Sequence, residues 1–204
     1  MKLNDTIKLD TYKIVIPNGL IYHIPEFIPL QESKKLFIFL VRSLFWRKDS
    51  IQLFGKKIMQ PRLTAWYGEP NLVYTYSGLE LQTIPWTYTL LQIKNQIEAT
   101  GIGNYNAVLI NYYRNGNDSV GYHADDEPEL GYCPIIAILS LGETRKLQMK
   151  PKKSKDSTLS FMLKNGDLFI MAGATQHFWY HQIPKEKTIK NPRISLTFRK
   201  IVAT

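Results

Sequence analysis

The sequence predicts an α+β protein, with helices first and an antiparallel sandwich or jelly roll after them. Two observations carry this prediction. Within the first 100 or so residues lie two apolar patterns of helical period. After them the period shortens, and short runs rich in β-branched and aromatic residues follow one another. Many short strands in one chain bury their apolar faces between two sheets. At 204 residues and 44% hydrophobic content the chain has enough apolar material for a substantial core.

Pro29 opens the first helix, PLQESKKLFIFLVRSLFW, which runs through Trp46 with Leu36, Leu40 and Leu44 on one face. Pro85 opens the second, PWTYTLLQIKNQIEATG, with Gly101 as its stop. AVLINYY, IIAILSL, LSFMLK, DLFIMA and RISLTFRKI are the strands, and Asn165-Gly166 marks a tight hairpin turn between two of them. Between helices and strands lies IQLFGKKIMQPRLTAWYGEPNLVYTYSG. Its aromatic, glycine and basic residues read as a surface-exposed substrate region.

Composition excludes several classes. Cys133 is the only cysteine, which rules out an internal disulfide and a cysteine-rich zinc site and suits a reducing compartment. Followed by Pro134 and an apolar run, it reads as a packing residue rather than a nucleophile. MKLNDT has no apolar signal core, and the apolar run Leu36 to Val41 is too short to span a bilayer. The expectation is a protein that is neither secreted nor membrane-bound. A net charge of +9 favours polyanionic partners, nucleic acid first.

Against that basic background, GYHADDE gathers acids beside a histidine. In an extended segment His123 and Asp125 point the same way and can face one ion. A third ligand must come from elsewhere. His23 has no ligand type beside it, while His177 and His181 flank FWY after the strand DLFIMA. Two histidines and a carboxylate occupy one face of a six-coordinate Fe(II) and leave positions open for oxygen and an organic cosubstrate. A rival reading puts His177 and His181 at helical i, i+4 spacing, as in a zinc hydrolase. That motif needs Glu after the first His, and Phe178 stands there.

In RISLTFRKIV, alternation places Arg193, Ser195, Thr197 and Arg199 on one face and Ile194, Leu196 and Phe198 on the other. Two arginines aimed the same way from a core strand are costly to bury without anions. They form either a clamp for a small dicarboxylate or salt bridges to surface acids. Asn111 and Tyr113, also two apart, either complete that clamp or are ordinary strand polarity.

The order NYYRNG, YHADDE, FWYH, PRISLTFRK resembles the AlkB family of Fe(II)- and 2-oxoglutarate-dependent dioxygenases over roughly residues 50 to 200. FGKKIMQPR, YTYSG and HADDE together resemble its branch that repairs alkylated double-stranded DNA. The resemblance implies one dioxygenase domain over 1–204. Its core would be a double-stranded β-helix (jelly roll) over about 105–202, with N-terminal helices and a nucleotide-recognition hairpin region over about 51–80. It implies His123, Asp125 and His181 as Fe(II) ligands. Arg193 and Arg199 would hold 2-oxoglutarate, assisted by Asn111, Tyr113 and Thr197. Ser195 stands where family members commonly carry Asn and offers a shorter hydrogen-bonding reach.

The implied reaction uses O2 and 2-oxoglutarate to hydroxylate a methyl group on 1-methyladenine or 3-methylcytosine, with loss of formaldehyde, succinate and CO2. The damaged nucleotide is flipped into the site. Tyr74, Thr75 and Tyr76 would line the base pocket, with Tyr76 stacking beside His123; read alone, these tyrosines are strand aromatics. Phe54 matches the family's intercalating finger, with Gly55 giving backbone freedom, Lys56 and Lys57 suited to phosphates and Arg62 near the nucleic acid. The same stretch, read without the family, is a hairpin with solvated lysines. Lys150 to Lys155 is either a solvated loop or a grip on the second strand. Asp126 matches a substrate-contacting position, and with Glu127 it places negative charge where a cationic methylated base would enter.

The expected partner is alkylated DNA, double-stranded by the finger motif, with single-stranded DNA or RNA as the competing substrates. Family analogy suggests a monomer in the cytoplasm, or in the nucleus of a eukaryote. Two rivals stand beside DNA dealkylation. One is RNA demethylation by the same chemistry, and the other is a catalytically silent nucleic-acid-binding jelly roll.

Overall fold

The computed structural model describes residues 8–53, 56–70, 72–76, 79–153 and 157–202. Strands β1 (Lys13–Ile16) and β2 (Gly19–Ile24) precede helix α1 (Leu30–Ser43). Then come β3 (Ser50–Leu53), β4 (Lys56–Met59), β5 (Leu63–Gly68), β6 (Val73–Tyr76), β7 (Leu79–Gln82), β8 (Ile84–Pro85) and α2 (Tyr88–Glu98). The second half holds β9 (Ala107–Tyr113), β10 (Val120–His123), β11 (Ile136–Gly142), β12 (Arg145–Pro151), β13 (Leu159–Leu163) and β14 (Leu168–Ala172). The chain ends with α3 (Thr175–Phe178), β15 (Trp179–Ile183) and β16 (Arg193–Arg199).

The strands form a jelly roll of two facing sheets. The major sheet has eight strands in the order β1-β2-β14-β11-β16-β9-β5-β8, and the minor sheet has four in the order β10-β15-β12-β13. One core layer lies between the sheets, where Leu109, Tyr113 and Phe169 meet Leu147, Met149 and Ile183. A second lies between the major sheet and the helices, where Ile194, Leu196 and Phe198 meet Leu40, Leu90 and Ile97. So β16 is buried on both faces, with its apolar residues toward the helices and its polar ones toward the minor sheet.

The helices are shorter than the sequence suggests. α1 begins after Pro29 and stops at Ser43 rather than Trp46, because the chain turns extended at Leu44. Leu40 and Leu44 are buried as the pattern requires, and Trp46 folds back to donate from Nε1 to the Val41 carbonyl. α2 starts three residues after Pro85, with Thr87 as N-cap accepting from the Leu90 amide; Pro85 instead ends β8.

Two other expectations change. Asn165-Gly166 is a turn but not a hairpin, since β13 pairs with β12 in the minor sheet and β14 with β11 and β2 in the major. The turn carries the chain from one sheet to the other. Gly166 has φ +89°, and a Cβ there would collide with the Ile28 carbonyl. The 51–80 region is not wholly a surface segment either. β3 pairs with β4 and β6 with β7 as two small sheets, but β5 between them is a buried strand of the major sheet paired with β9. The core also exceeds 105–202, because β1, β2, β5 and β8 all belong to the major sheet.

Candidate metal and dicarboxylate site

The cavity between the sheets has a metal end and a cationic end. β10 and β15 are antiparallel partners with His123 opposite His181, which sets their imidazole centroids 4.3 Å apart. Asp125 follows β10 and is fully buried. One ligand atom each from His123, Asp125 and His181 lie within 4.8 Å of one another. His181 Nε2 is 3.9 Å from Asp125 Oδ2.

Each group is held by a neighbour. His123 Nδ1 donates to the Gly121 carbonyl at 2.9 Å, which fixes the tautomer and leaves Nε2 with a free lone pair. The Asp125 amide donates to Gln176 Oε1 at 2.9 Å, and Arg199 Nη2 donates to Asp125 Oδ1 at 2.7 Å. Asp125 Oδ2 is buried and has no hydrogen-bond partner among the described residues.

Charge states follow from these surroundings. Burial disfavours the Asp125 carboxylate, but Arg199, His181 and His123 together outweigh it and hold its pKa down at about 2. Burial, with His123 beside it, pushes His181 down to about 3, and burial also lowers His123. Near neutral pH the set is therefore one carboxylate and two neutral imidazoles, each able to give a lone pair. An orphaned carboxylate oxygen facing such nitrogens is a set of donors that a divalent transition metal completes.

The cationic end comes from β16 and β9. Arg193, Ser195, Thr197 and Arg199 line the cavity together with Asn111, Tyr113 and Arg62. Of the two arginine readings, Arg199 pairs with a buried acid, Asp125, rather than a surface one. Arg193 is buried, and its Nε donates to Ser140 Oγ at 2.9 Å. Among the described residues its Nη1 and Nη2 meet no acceptor in hydrogen-bond geometry, and burial pushes the guanidinium down to about 10 although the Tyr113 hydroxyl beside it favours the charge by electrostatics and hydrogen bonding. A buried fork with two unused donors fits a carboxylate.

Other expected residues fall as follows. Arg62 is buried inside the cavity rather than on an open face. Its Nε donates to Asn111 Oδ1 at 2.7 Å and its Nη1 to the Ser119 carbonyl at 3.2 Å. Asp126 is exposed but ion-paired with Lys152 at 2.6 Å, so its charge is not alone at the mouth; Glu127 is half-buried beside it. Phe54 and Gly55 lie outside the described residues. Lys56 starts β4, and Tyr74, Thr75 and Tyr76 lie in β6, their side chains outside what is described. His177 sits on α3, where its Nε2 accepts from the Cys133 amide at 3.3 Å. His23 does have an acid beside it, Asp167 at 3.0 Å, brought there by the pairing of β2 with β14.

Sequence reasoning missed three supports. Ser140 was legible as a lone polar residue inside IIAILSL. Arg145, fully buried, stands in step with Leu147 and Met149 on the inner face of β12 and donates to Glu186, Asn115, Asp118 and Pro184. Both the Arg145 and Arg193 guanidiniums lie 5.4 Å from the Tyr113 ring centroid. Gln176 had no sequence signal, since only the fold brings it to Asp125.

A jelly roll with this ligand triad beside a buried cationic pocket defines the class of metal- and 2-oxoacid-dependent oxygenases. A profile of the 2OG-Fe(II) oxygenase superfamily matches residues 20–199, and the chain belongs to that family. Within it the chain is AlkB-like. It is 45% identical over 186 residues to alpha-ketoglutarate-dependent dioxygenase alkB homolog 3 of Bos taurus, covering 87% of this chain and 64% of that one. It is 38% identical over 161 residues to DNA oxidative demethylase ALKBH2 of Homo sapiens, covering 76% and 62%. The chain thus spans less than two thirds of the length of these relatives. Among solved structures, that of OsALKBH1 superposes with a TM-score of 0.64 at 15% identity over 92% of this chain and 98% of the other. A 2OG-Fe(II) oxygenase family protein of Burkholderia pseudomallei gives 0.58 at 12% identity over 88% and 84%.

Proposed function

We propose that the protein is an oxidative dealkylase of nucleic acid that removes methyl groups from 1-methyladenine and 3-methylcytosine in DNA. One observation carries the reading. Among the described residues, a buried carboxylate oxygen without a hydrogen-bond partner lies beside two neutral imidazoles, and those imidazoles line the same cavity as Arg193. Such a cavity suits a metal and a small dicarboxylate together. The names of the relatives, a dioxygenase and a DNA oxidative demethylase, support the substrate class.

In this reading His123, Asp125 and His181 hold Fe(II), and Gln176 and Gly121 hold the ligands in place. Arg193 would hold the distal carboxylate of 2-oxoglutarate with its two unpartnered donors, and Arg62 orients Asn111 at the cavity wall. Arg199 keeps Asp125 ionised. When bound, Fe(II) and 2-oxoglutarate would supply, with O2, the two-electron oxidation of the methyl carbon, with succinate and CO2 as co-products. The hydroxymethyl group then leaves the ring nitrogen as formaldehyde. The protein's share is positioning and dryness, supplied by the apolar walls Leu109, Ile138, Leu147 and Ile183.

The whole chain is a single catalytic domain in this proposal, with the β3-β4 and β6-β7 hairpins bracketing the substrate. The test is formaldehyde and succinate release on DNA and RNA oligomers carrying either lesion, with added Fe(II) and 2-oxoglutarate. Stoichiometric release on DNA supports the reading. No release on either polymer sinks it, and faster release on RNA moves the substrate to RNA.

A further inference from the structure

The minor sheet has an inner face that holds the metal ligands and an outer face that the proposed reaction leaves unused. Strand alternation puts Leu147, Met149, His181 and Ile183 inward and their chain neighbours outward. On the outside, Tyr122 of β10 is exposed, while Tyr180 of β15 and Lys150 of β12 are half-buried and neighbours. Lys150 stands directly opposite Tyr180 in the register. Its ammonium lies 4.2 Å from the Tyr122 ring centroid and 5.9 Å from that of Tyr180. Lys152 lies 5.0 Å from the Tyr180 ring while paired with Asp126. Below them Gln182 donates to Gln148 across the strands at 2.8 Å, giving amide edges beside the rings.

We infer that this outer face is a second binding surface, for unpaired nucleotides of a single strand that continues past the site. The inference rests on the proposed nucleic-acid substrate. Three features point to that occupant. Two tyrosines on adjacent strands offer π faces, and base stacking on such platforms is tolerant of sequence. Lysines beside each ring match phosphates at the charge of the strand, in a chain of net charge +9. The platform also reaches the site's rim, because Lys152 beside the Tyr180 ring is ion-paired with Asp126, the residue after the ligand Asp125. An acidic peptide would use the lysines but not the rings. Duplex DNA would use the phosphates but has its bases stacked on each other.

The lysines now occupy the ring faces. Cation-π contact at an exposed site is weak, so a phosphate draws Lys150 away and a base takes its place. This favours single-stranded over duplex substrates, against the expectation that the finger motif raises.

The test uses the full chain, fluorescently labelled dT20, a matched duplex and a methylated trinucleotide that fills little beyond the base pocket. Replacing both rings, Tyr122→Leu with Tyr180→Leu, should weaken dT20 binding at least about fivefold, since each lost stack carries that much or more. Tyr122→Phe with Tyr180→Phe should bind as wild type, because stacking needs the ring and not the hydroxyl. Duplex affinity and trinucleotide turnover should not change in any of these variants. Equal dT20 binding by the leucine variant and wild type overturns the platform. So does a polyglutamate peptide that competes as well as dT20 and loses the same affinity in the leucine variant. If wild type turns over no methylated substrate while the leucine variant still loses dT20, the platform stands and the dealkylase reading falls.

Discussion

The two ends of the cavity are built on sheets with different backs. β16 is buried along its whole length, with helices behind it, so Arg193 is a charge with no route to water. β15 alternates buried with half-buried residues, and in β10 the exposed Gly121 and Tyr122 precede His123, so His123 and His181 each stand one residue away from a more exposed tyrosine. The dry-backed end can hold a cation only at a cost that a bound anion offsets. The wet-backed end can place metal ligands near an opening through which a large substrate reaches them. Under the proposed function, the fold would store unfavourable charge where the small cosubstrate goes and keep the accessible wall for the polymer.

The largest effect that sharpens this comparison comes from the metal end. His181→Ala removes one of three ligands and should abolish stoichiometric Fe(II) binding, with turnover at background. Fe(II) titration of the anaerobic protein checks it, and retained stoichiometric binding would break the triad. At the dry end, Arg193→Met should move two observables in opposite directions. 2-Oxoglutarate affinity should fall at least about thirtyfold, the cost of truncating a buried charge partner. The ligand-free protein should gain about 1 kcal/mol, a rise of about 2–4 °C in Tm, because a buried cation lacking a carboxylate is gone. A drop in Tm would show that Arg193 supports the fold as it stands.

A third test concerns pH. His181 is held down at about 3 and His123 is also lowered, so both stay neutral as pH falls through the ordinary 6.5. Protonation competes with metal only when the imidazole is charged. Metal affinity should therefore stay flat from about pH 7.5 down through the ordinary 6.5. A loss centred at 6.5 or above would mean that burial does not control the ligands.

Much of this contrast is legible in the sequence, and the reason differs by region. The alternation of RISLTFR separates its polar face because strand period is local, and the cavity lining and the helix-side core show which face points each way. His123 and Asp125 are legible because they lie two apart. The third ligand needed the family pattern, since only β10 against β15 brings His181 opposite His123. Gln176, and the pairing of Asp126 with Lys152, depend on contacts between segments far apart in sequence, which no local pattern encodes. The same holds for Asn165-Gly166. Its turn chemistry is local, but whether the flanking strands pair is decided by two different sheets.

The prediction furthest from the site lies at the far edge of the dry sheet, where the N-terminal hairpin joins it. Asp167, buried just before β14, accepts from His23 Nε2 at 3.0 Å, from the Glu26 amide at 3.1 Å and from the Lys164 amide at 2.9 Å. Burial alone would raise its pKa, but His23 and these amides outweigh that and hold it below 3.8. A depressed carboxyl pKa adds stability that is complete above the unfolded value and is lost as pH falls through the folded one. Asp167→Asn keeps the shape but turns one acceptor into a donor facing donors, at a cost of about 1–3 kcal/mol. Denaturant unfolding at pH 7 should show that gap, with turnover of any methylated substrate unchanged. Below about pH 4 the gap should narrow, because wild type loses its carboxylate as well. A gap that stays constant through acid would show that the hydrogen bonds hold the hairpin without the charge. The dry sheet would then tolerate buried ions at its edge as cheaply as the wet one does.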